Sequence, residues 1–344
     1  MAASTEVDVT AKYTIVDIVR SYTSLDDQAK YIWAANVLAR KCPFFLDMPM
    51  KPSNQIMSNI GARVNYLPTM ATRGFNEGVS PTATHTVQYT EGIAMIEDYS
   101  DVDKVLCDIQ NNPAQWRQEK DRIKMEAMTQ KAEDLILYGS KATDPNAWNG
   151  LATRFNDLDA NPNADTTWPY NVISAGGSTA STVTSIYVIC WGIEGKIAGI
   201  YPPNLTAGIK VQDLGEVTIV TNTLAAPKYM QGYRTFMGVY FGLDVADERY
   251  IQRVCNHEVT GEVNTFDPRL LITALNRLPD RDGAVIYANR TIKTMMDIYA
   301  LDKSNGFYTQ KDDGDIFGRP VTRFQGIPVR QADMIDDTET VCTT

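Results

Sequence analysis

The sequence predicts an α+β fold, and three observations carry that prediction. Residues 113–138 keep one helical pattern, with Asn112 as a cap, Pro113 at the first helical position and Gly139 at the stop. From residue 183 onward, short strand-like runs alternate with two shorter helical patterns. Between residues 61 and 92 lies "GARVNYLPTMATRGFNEGVSPTATHTVQYTEG", with strand-like ends and a Gly-rich middle. It has no Lys and shows its apolar groups on no consistent face, so it can hardly cover a core of its own.

The totals set the frame. A chain of 344 residues allows one large domain or two to three smaller ones. With 44% hydrophobic and 22% charged residues, it reads as a soluble globular protein. A net charge of -10 argues against a nucleic-acid binder working through a whole-surface positive field, and against a binder of anionic membranes. A local basic patch stays compatible with it. The start, "MAASTEVDVTAKYTIVD", lacks a cationic region followed by an apolar stretch, so no signal peptide is expected. No apolar run is long enough to span a bilayer as a helix. Cys42, Cys107, Cys190, Cys255 and Cys342 are scattered and form no CxxC pair. They read as reduced thiols in a cytosolic setting, mostly small core residues.

Taken in order, residues 1–60 read as an arm with one helix. In "TSLDDQAKYIWAANVLARKCP", Ser24 is the cap candidate and Asp26 and Asp27 fall in the first turn. Leu25, Tyr31, Ile32, Val37 and Leu38 fall roughly on one face, and Pro43 ends the helix. "FFLDMPMKPSN" reads as extended. Residues 61–95 read as a long hairpin, its strands "ARVNYLP" and "THTVQYT", its bends at Gly74, Gly78 and Pro81. Two strands alone are marginal in water, and long irregular connections are usually functional or disordered. The branched and aromatic Val64, Tyr66, Leu67, Phe75, Val87 and Tyr89 weigh against disorder.

The helix 113–138 would reach about 39 Å at ~1.5 Å per residue, which suits a strut. Trp116, Ile123, Ala127, Leu135 and Tyr138 mark its expected packing stripe. Residues 140–180 are turn-rich. "VTSIYVICWG", "VTIVTN" and "RTFMGVYFGLDVADERYIQRVCN" supply strands. "FDPRLLITALNRLP" is a helix starting at Asp267–Pro268, "GAVIYAN" a buried strand and "RTIKTMMDIYAL" a helix. "RFQGIPVRQADMI" reads as a late strand broken by Gly326 and Pro328.

Signals for chemistry are sparse. The two histidines, His85 and His257, form no HExxH and no metal-spaced pair. Cys255 and His257 could serve as ligand or nucleophile, but a partly exposed histidine beside a packed thiol is the simpler reading. Gly195–Lys196 is followed by Ile197 and lacks the Gly spacing of a phosphate loop. No GxGxxG or GxSxG occurs. Asp312, Asp313 and Asp315 around Gly314 lack the glutamate of an EF-hand and read as a solvated turn. No basic stripe with interleaved aromatics is present. No catalytic residue, metal ligand or cofactor is expected.

The order of elements (arm, lysine-free hairpin, long helix, mixed α/β region) resembles the major capsid proteins of tailed bacteriophages, the Hong Kong-97-type or Johnson fold. "FNEGVSPTATHTVQYTEG" resembles the extended hairpin loop of that family. "SIYVICWGIEGKIAGIYPPNLTAGIKVQDLG" resembles the equivalent stretch in the epsilon-15-like podophages. "YANRTIKTMMDIYA", "FQGIPVRQADMI" and the acidic "DDTETV" resemble the way those chains finish. The resemblance runs from about the hairpin to the C-terminus and rests on the order of short strings.

It implies a structural protein, not an enzyme, that self-assembles as hexamers and pentamers into an icosahedral shell around double-stranded DNA, without sequence-specific binding. It implies an N-terminal arm over 1–60, an extended hairpin over 61–95 and a peripheral domain over 96–180 with the spine helix. A mainly axial domain with returning peripheral strands would follow over 181–330, then a tail over 331–344. Hairpin residues Arg63, Tyr66, Arg73, Phe75, Glu77 and Tyr89 would contact a neighbouring subunit, and Trp116, Ile123, Leu135 and Tyr138 would pack the spine. Some members weld neighbours by an isopeptide bond from a hairpin Lys to an Asn. Here no Lys occurs between Lys51 and Lys104, so a non-covalent shell is expected. No long, charged, helical extension precedes the arm, so a separate scaffolding protein is expected. A portal and a small decoration protein are family expectations. The virion is the expected location, after assembly in the host bacterial cytoplasm, with no membrane partner.

Two other readings are weighed. One is an encapsulin-type nanocompartment of the same fold, against which the full arm and long hairpin argue. The other is a β-rich carbohydrate-binding protein or hydrolase, with Trp148, Trp168 and Tyr170 as its platform.

Overall fold

The computed structural model describes residues 42–109, 113–158, 171–179, 182–222, 228–261, 263–301, 308–311 and 321–343. The helix expected within 24–43, Trp168, Tyr170 and the Asp312–Asp315 turn lie outside these residues. The strands are β1 Met50–Pro52, β2 Ser58–Tyr66, β3 His85–Gly92, β4 Ala94–Asp103, β5 Val172–Ser174, β6 Val183–Cys190 and β7 Ile197–Tyr201. They continue with β8 Ile209–Asn222, β9 Lys228–Val245, β10 Ile251–Glu258, β11 Ala284–Ala288, β12 Tyr308–Lys311, β13 Val321–Phe324 and β14 Ile327–Gln331. The longer helices are Pro113–Tyr138, Pro268–Arg277 and Arg290–Leu301.

The chain divides into two compact units. In the first, described residues within 95–131 and 208–240 gather round a long ribbon. There β8 runs antiparallel to β9 from Ile209↔Val239 to Asn222↔Lys228, and β4 is also a neighbour of β9. Gly232 lets these strands close up: a Cβ there would lie 2.5 Å from the Val102 carbonyl oxygen. Arg234 grips Asp101 through two hydrogen bonds, 2.6 and 2.8 Å. Trp116 is buried in a small core with Val102 and Cys107, against which Tyr233 packs.

The second unit holds described residues within 40–94, 132–207 and 241–344. Its centre is a seven-stranded sheet in the order β12-β13-β14-β11-β6-β10-β5. Strand β6 is antiparallel to both β10 and β11, and all eight of its residues are buried. Such a strand needs cover on both faces. Ile186, Val188 and Cys190 join a core with Leu271, Leu275, Ile292 and Met296 of the two shorter helices. Asp267 caps the first of these by accepting from the Arg269 N–H, with Pro268 at the start, as the sequence predicts. Also in this unit, β7 pairs antiparallel with Gly242–Val245 of β9 and parallel with β1.

Four local expectations are corrected. "FFLDMPMKPSN" is not simply extended: Pro43 sits at the N-cap of a one-turn helix, Phe44–Asp47, and β1 follows. "RFQGIPVRQADMI" is a hairpin, not one broken strand. Gln325 and Gly326 both take positive φ, 50° and 83°, as a tight two-residue hairpin turn requires, and Pro328 lies inside β14. His257 is fully buried in β10, not partly exposed. Its Nδ1 lies 3.2 Å from the Thr265 carbonyl, and burial pushes its pKa down to about 4.

The fourth correction concerns the long helix. Trp116 and Leu135 are buried and Tyr138 is half-buried, but Ile123 is 39% exposed and Ala127 is exposed. The later buried positions are Met128, Ala132, Glu133, Leu135, Ile136 and Leu137. At 3.6 residues per turn these lie nearly all round the helix, Met128 about 120° from Trp116 and Leu137 about 60° to its other side. The buried face therefore widens along the helix, whose first part belongs to one compact unit and whose last turns, from Ala132, belong to the other. One straight stripe cannot describe it.

Candidate functional site

The segment without a core of its own is a two-stranded antiparallel ribbon. Strands β2 and β3 pair from Ser58↔Gly92 to Val64↔Thr86, then slip once to Tyr66↔His85. Among the described residues, neither strand joins a larger sheet. Residues 67–84 connect them without regular structure and are almost entirely exposed.

At the tip, Arg73 and Glu77 come together in a turn. The Glu77 carboxylate accepts from the Gly74 N–H at 2.9 Å, and Arg73 donates to the Glu77 carbonyl at 3.3 Å. Phe75 stands on this turn, fully exposed. Leu67 and Met70 are 84% and 82% exposed, and Val64 and Val87 are more than half exposed. Water solvates such side chains poorly, and burying each completely is worth about 1.5–3 kcal/mol.

The root is different. Arg63 and Tyr89 meet there, the guanidinium 4.4 Å from the ring centroid. Arg63 donates to Glu248 at 2.7 Å and to the Val245 carbonyl at 2.5 Å. Gly61 lies under the Tyr89 ring, where a Cβ would come within 2.3 Å of it. The Tyr89 hydroxyl is pushed up to about 12, first by burial and then by the Asp244 carboxylate. Asp244 is itself fully buried and pairs with Lys51. Arg154 clasps Glu91 at 2.7 and 2.5 Å. Arg63 and Tyr89, expected to face a neighbour, are thus occupied within their own chain. The expected site residues separate into a root (Arg63, Tyr89) and a tip (Arg73, Phe75, Glu77), with Tyr66 at the last ladder pair.

Sequence reasoning missed the polar network behind β6. Arg253 donates to Glu339 at 2.9 Å, to Ser185 at 3.0 Å and to the Phe155 carbonyl at 2.7 Å. Tyr138 donates to Glu339 at 2.7 Å. An arginine inside the apolar run "YIQRVC" was the available signal. Trp148, proposed as a carbohydrate platform, is buried edge-on to Phe241. Among the described residues, no three His, Cys, Asp or Glu side chains gather as a metal site. Among them, no helix is long and apolar enough to cross a membrane.

Asn54 caps the edge of β2 at Ile60, donating to its carbonyl at 2.7 Å and accepting from its N–H at 2.9 Å. Beyond that point, a rooted ribbon with an apolar tip and, among the described residues, no third strand beside it can bind another surface by packing and strand addition. With this geometry, the comparisons converge. The family model described as "Major capsid protein GP7" matches residues 26–343. The chain is similar to a near-atomic cryo-EM structure of bacteriophage Epsilon15, with 23% identity, TM-score 0.70 and 100% of both chains covered. It is also similar to the bacteriophage JBD30 capsid, with 12% identity, TM-score 0.50, and 87% of this chain and 93% of that one covered. No curated protein matches the chain significantly. The fold is that of the tailed-phage shell proteins. The chain belongs to the major capsid protein GP7 family, and it is a structural subunit of an icosahedral virion shell.

Proposed function

We propose that the subunits form hexamers and pentamers, and that each hairpin binds a neighbouring copy. The exposed apolar tip on a rooted ribbon carries this reading: Leu67, Met70 and Phe75 find no cover among the described residues. Tyr66, Arg73 and Glu77 would join them in the contact, while Arg63 and Tyr89 hold the ribbon at its root. Trp116, Leu135 and Tyr138 pack the spine helix, and Ile123 is free to meet another element of the shell.

The peripheral domain is assigned to 96–180 and a mainly axial domain to 181–330. The grouping of residues 208–240 with the first part of the helix supports peripheral strands that return within the second span.

The shell is held without covalent links, because the stretch between Lys51 and Lys104 offers no lysine. Boiling mature shells in detergent then releases monomers of 38.3 kDa, and a ladder of covalent oligomers overturns this point. The subunit catalyses nothing and encloses double-stranded DNA. Its net charge of -10 suits a wall that leaves the genome free to move. A separate scaffolding protein, a portal and a small decoration protein complete the assembly.

Deleting 61–92 tests the hairpin's role. A soluble subunit that builds no regular shell supports it, and normal shells refute it.

A further inference from the structure

The C-terminal tail closes on the sheet at a pair of thiols. Strand β10 carries a bulge, where its register with β6 shifts between Val254 and His257. Inside that bulge Asn256 takes φ 59°, the left-handed region that Asn tolerates best after Gly. The bulge turns the Asn256 amide toward the tail, where it bonds both backbone groups of one residue. Asn256 Nδ2 donates to the Cys342 carbonyl at 2.9 Å, and the Cys342 N–H donates to Asn256 Oδ1 at 2.9 Å. The tail is held on either side too, by the Glu339 N–H on the Val183 carbonyl and the Leu158 N–H on the Thr343 carbonyl. Cys255, the residue before Asn256, is fixed by the Ala175 N–H donating to its carbonyl at 2.8 Å. The Cys255 and Cys342 side chains lie within interaction range of one another, and both are buried free thiols.

We propose that Cys255 and Cys342 are a latent disulfide site, which staples the C-terminal tail to β10 when a small-molecule disulfide reaches the protein. Two residues 87 positions apart in sequence are brought together, each with its backbone fixed: the amide of Asn256, next to Cys255, clasps both backbone groups of Cys342. The surroundings assign the roles. Cys342 keeps 6% of its surface exposed and Cys255 none, so a small disulfide reaches Cys342 first. The Arg253 guanidinium nearby favours a thiolate there. Cys342 is therefore the attacking thiol.

It displaces one thiolate from the small disulfide, giving a mixed disulfide on Cys342, and the leaving thiolate takes up a proton. The Cys255 sulfur, giving up its proton, then attacks the Cys342 sulfur and expels the second small thiol. The two protein thiols lose two protons and two electrons between them, and the small disulfide takes these up to become two thiols. A reducing cytosol keeps the pair open, and an oxidising exterior closes it.

The test exposes the full-length protein, native, to hydroxyethyl disulfide, then quenches it with acid. Remaining thiols are alkylated, and unreduced peptides are mapped by mass. The expected product is one linked peptide pair containing Cys255 and Cys342, lighter by two hydrogens, with the tail more resistant to carboxypeptidase. C255S should stop at a mixed disulfide on Cys342, and C342S should leave Cys255 as a thiol, so each single variant reports independently of the other. Three results would overturn the proposal: linkage to a different cysteine, a mixed disulfide on Cys342 that never resolves in the unaltered protein, or both thiols staying reduced until the protein is denatured.

Discussion

The Arg63 guanidinium sits over Tyr89, 4.4 Å from its ring centroid, and bonds Glu248 at 2.7 Å. This relationship decides how the hairpin works. A two-stranded ribbon is marginally stable alone. Here its root is bonded to Glu248 and to the Val245 backbone, so the ribbon projects from a fixed base. Arg63 and Glu248 are both partly solvated, so the ion pair contributes under about 1 kcal/mol. The stack on Tyr89 adds about 0.5–1 kcal/mol. Arg63→Ala is expected to lower subunit stability by only about 1–2 kcal/mol in denaturant titration. Amide exchange across 58–66 and 85–92 should speed up well before that of β6.

The tip behaves in the opposite way. Phe75 is fully exposed among the described residues, so Phe75→Ala should leave the denaturation midpoint of the isolated subunit unchanged. It should still reduce the yield of closed shells, measured by sedimentation. A shift in subunit midpoint with normal shell yield would place Phe75 in an intramolecular role.

Behind the sheet, Arg253 and Glu339 form an ion pair only 3% and 4% exposed. Removing one member strands the other in a low-dielectric interior. Arg253→Ala should therefore cost about 3–5 kcal/mol in urea unfolding. Replacing both with apolar residues of similar volume should recover much of that loss.

Glu133 gives a pH signature. It is fully buried in the last third of the long helix, where Oε1 accepts from the Phe44 N–H at 2.9 Å. Burial raises its pKa from 4.5 to about 8, although the Phe44 N–H and the Cys42 side chain pull it down. The native state therefore keeps a proton that the unfolded chain loses above 4.5. The contribution is fully present below pH 4.5, and it is lost progressively as pH rises to about 8. Glu133→Gln keeps the acceptor for Phe44 and removes the titration. Unfolding free energy measured from pH 5 to 8 should fall less steeply in the variant than in the parent. Equal slopes would show that Glu133 is ionised in the folded protein.

Much of this was legible in the sequence, for local reasons. Asn112, Pro113 and Gly139 bracket the long helix, whose span Pro113–Tyr138 is as expected. The hairpin was legible because Gly and Pro punctuate it and its strands alternate. What was not legible depends on distance along the chain. Nothing near Arg63 announces Glu248, and nothing near Arg253 announces Glu339, 86 residues away. The exposed Ile123 was misread because a single stripe assumes one packing partner, and this helix divides its length between two compact units. The thiol pair escaped for the same reason as the ion pairs: only the folded tail brings Cys342 to Cys255.

The measurement that bears most directly on the central claim is electron microscopy of the purified full-length protein, expressed with and without a candidate scaffolding protein. The account predicts closed or aberrant shells, tubes, or rings of five and six subunits. Uniform small particles under every condition, with light scattering confirming a small oligomer, would contradict it.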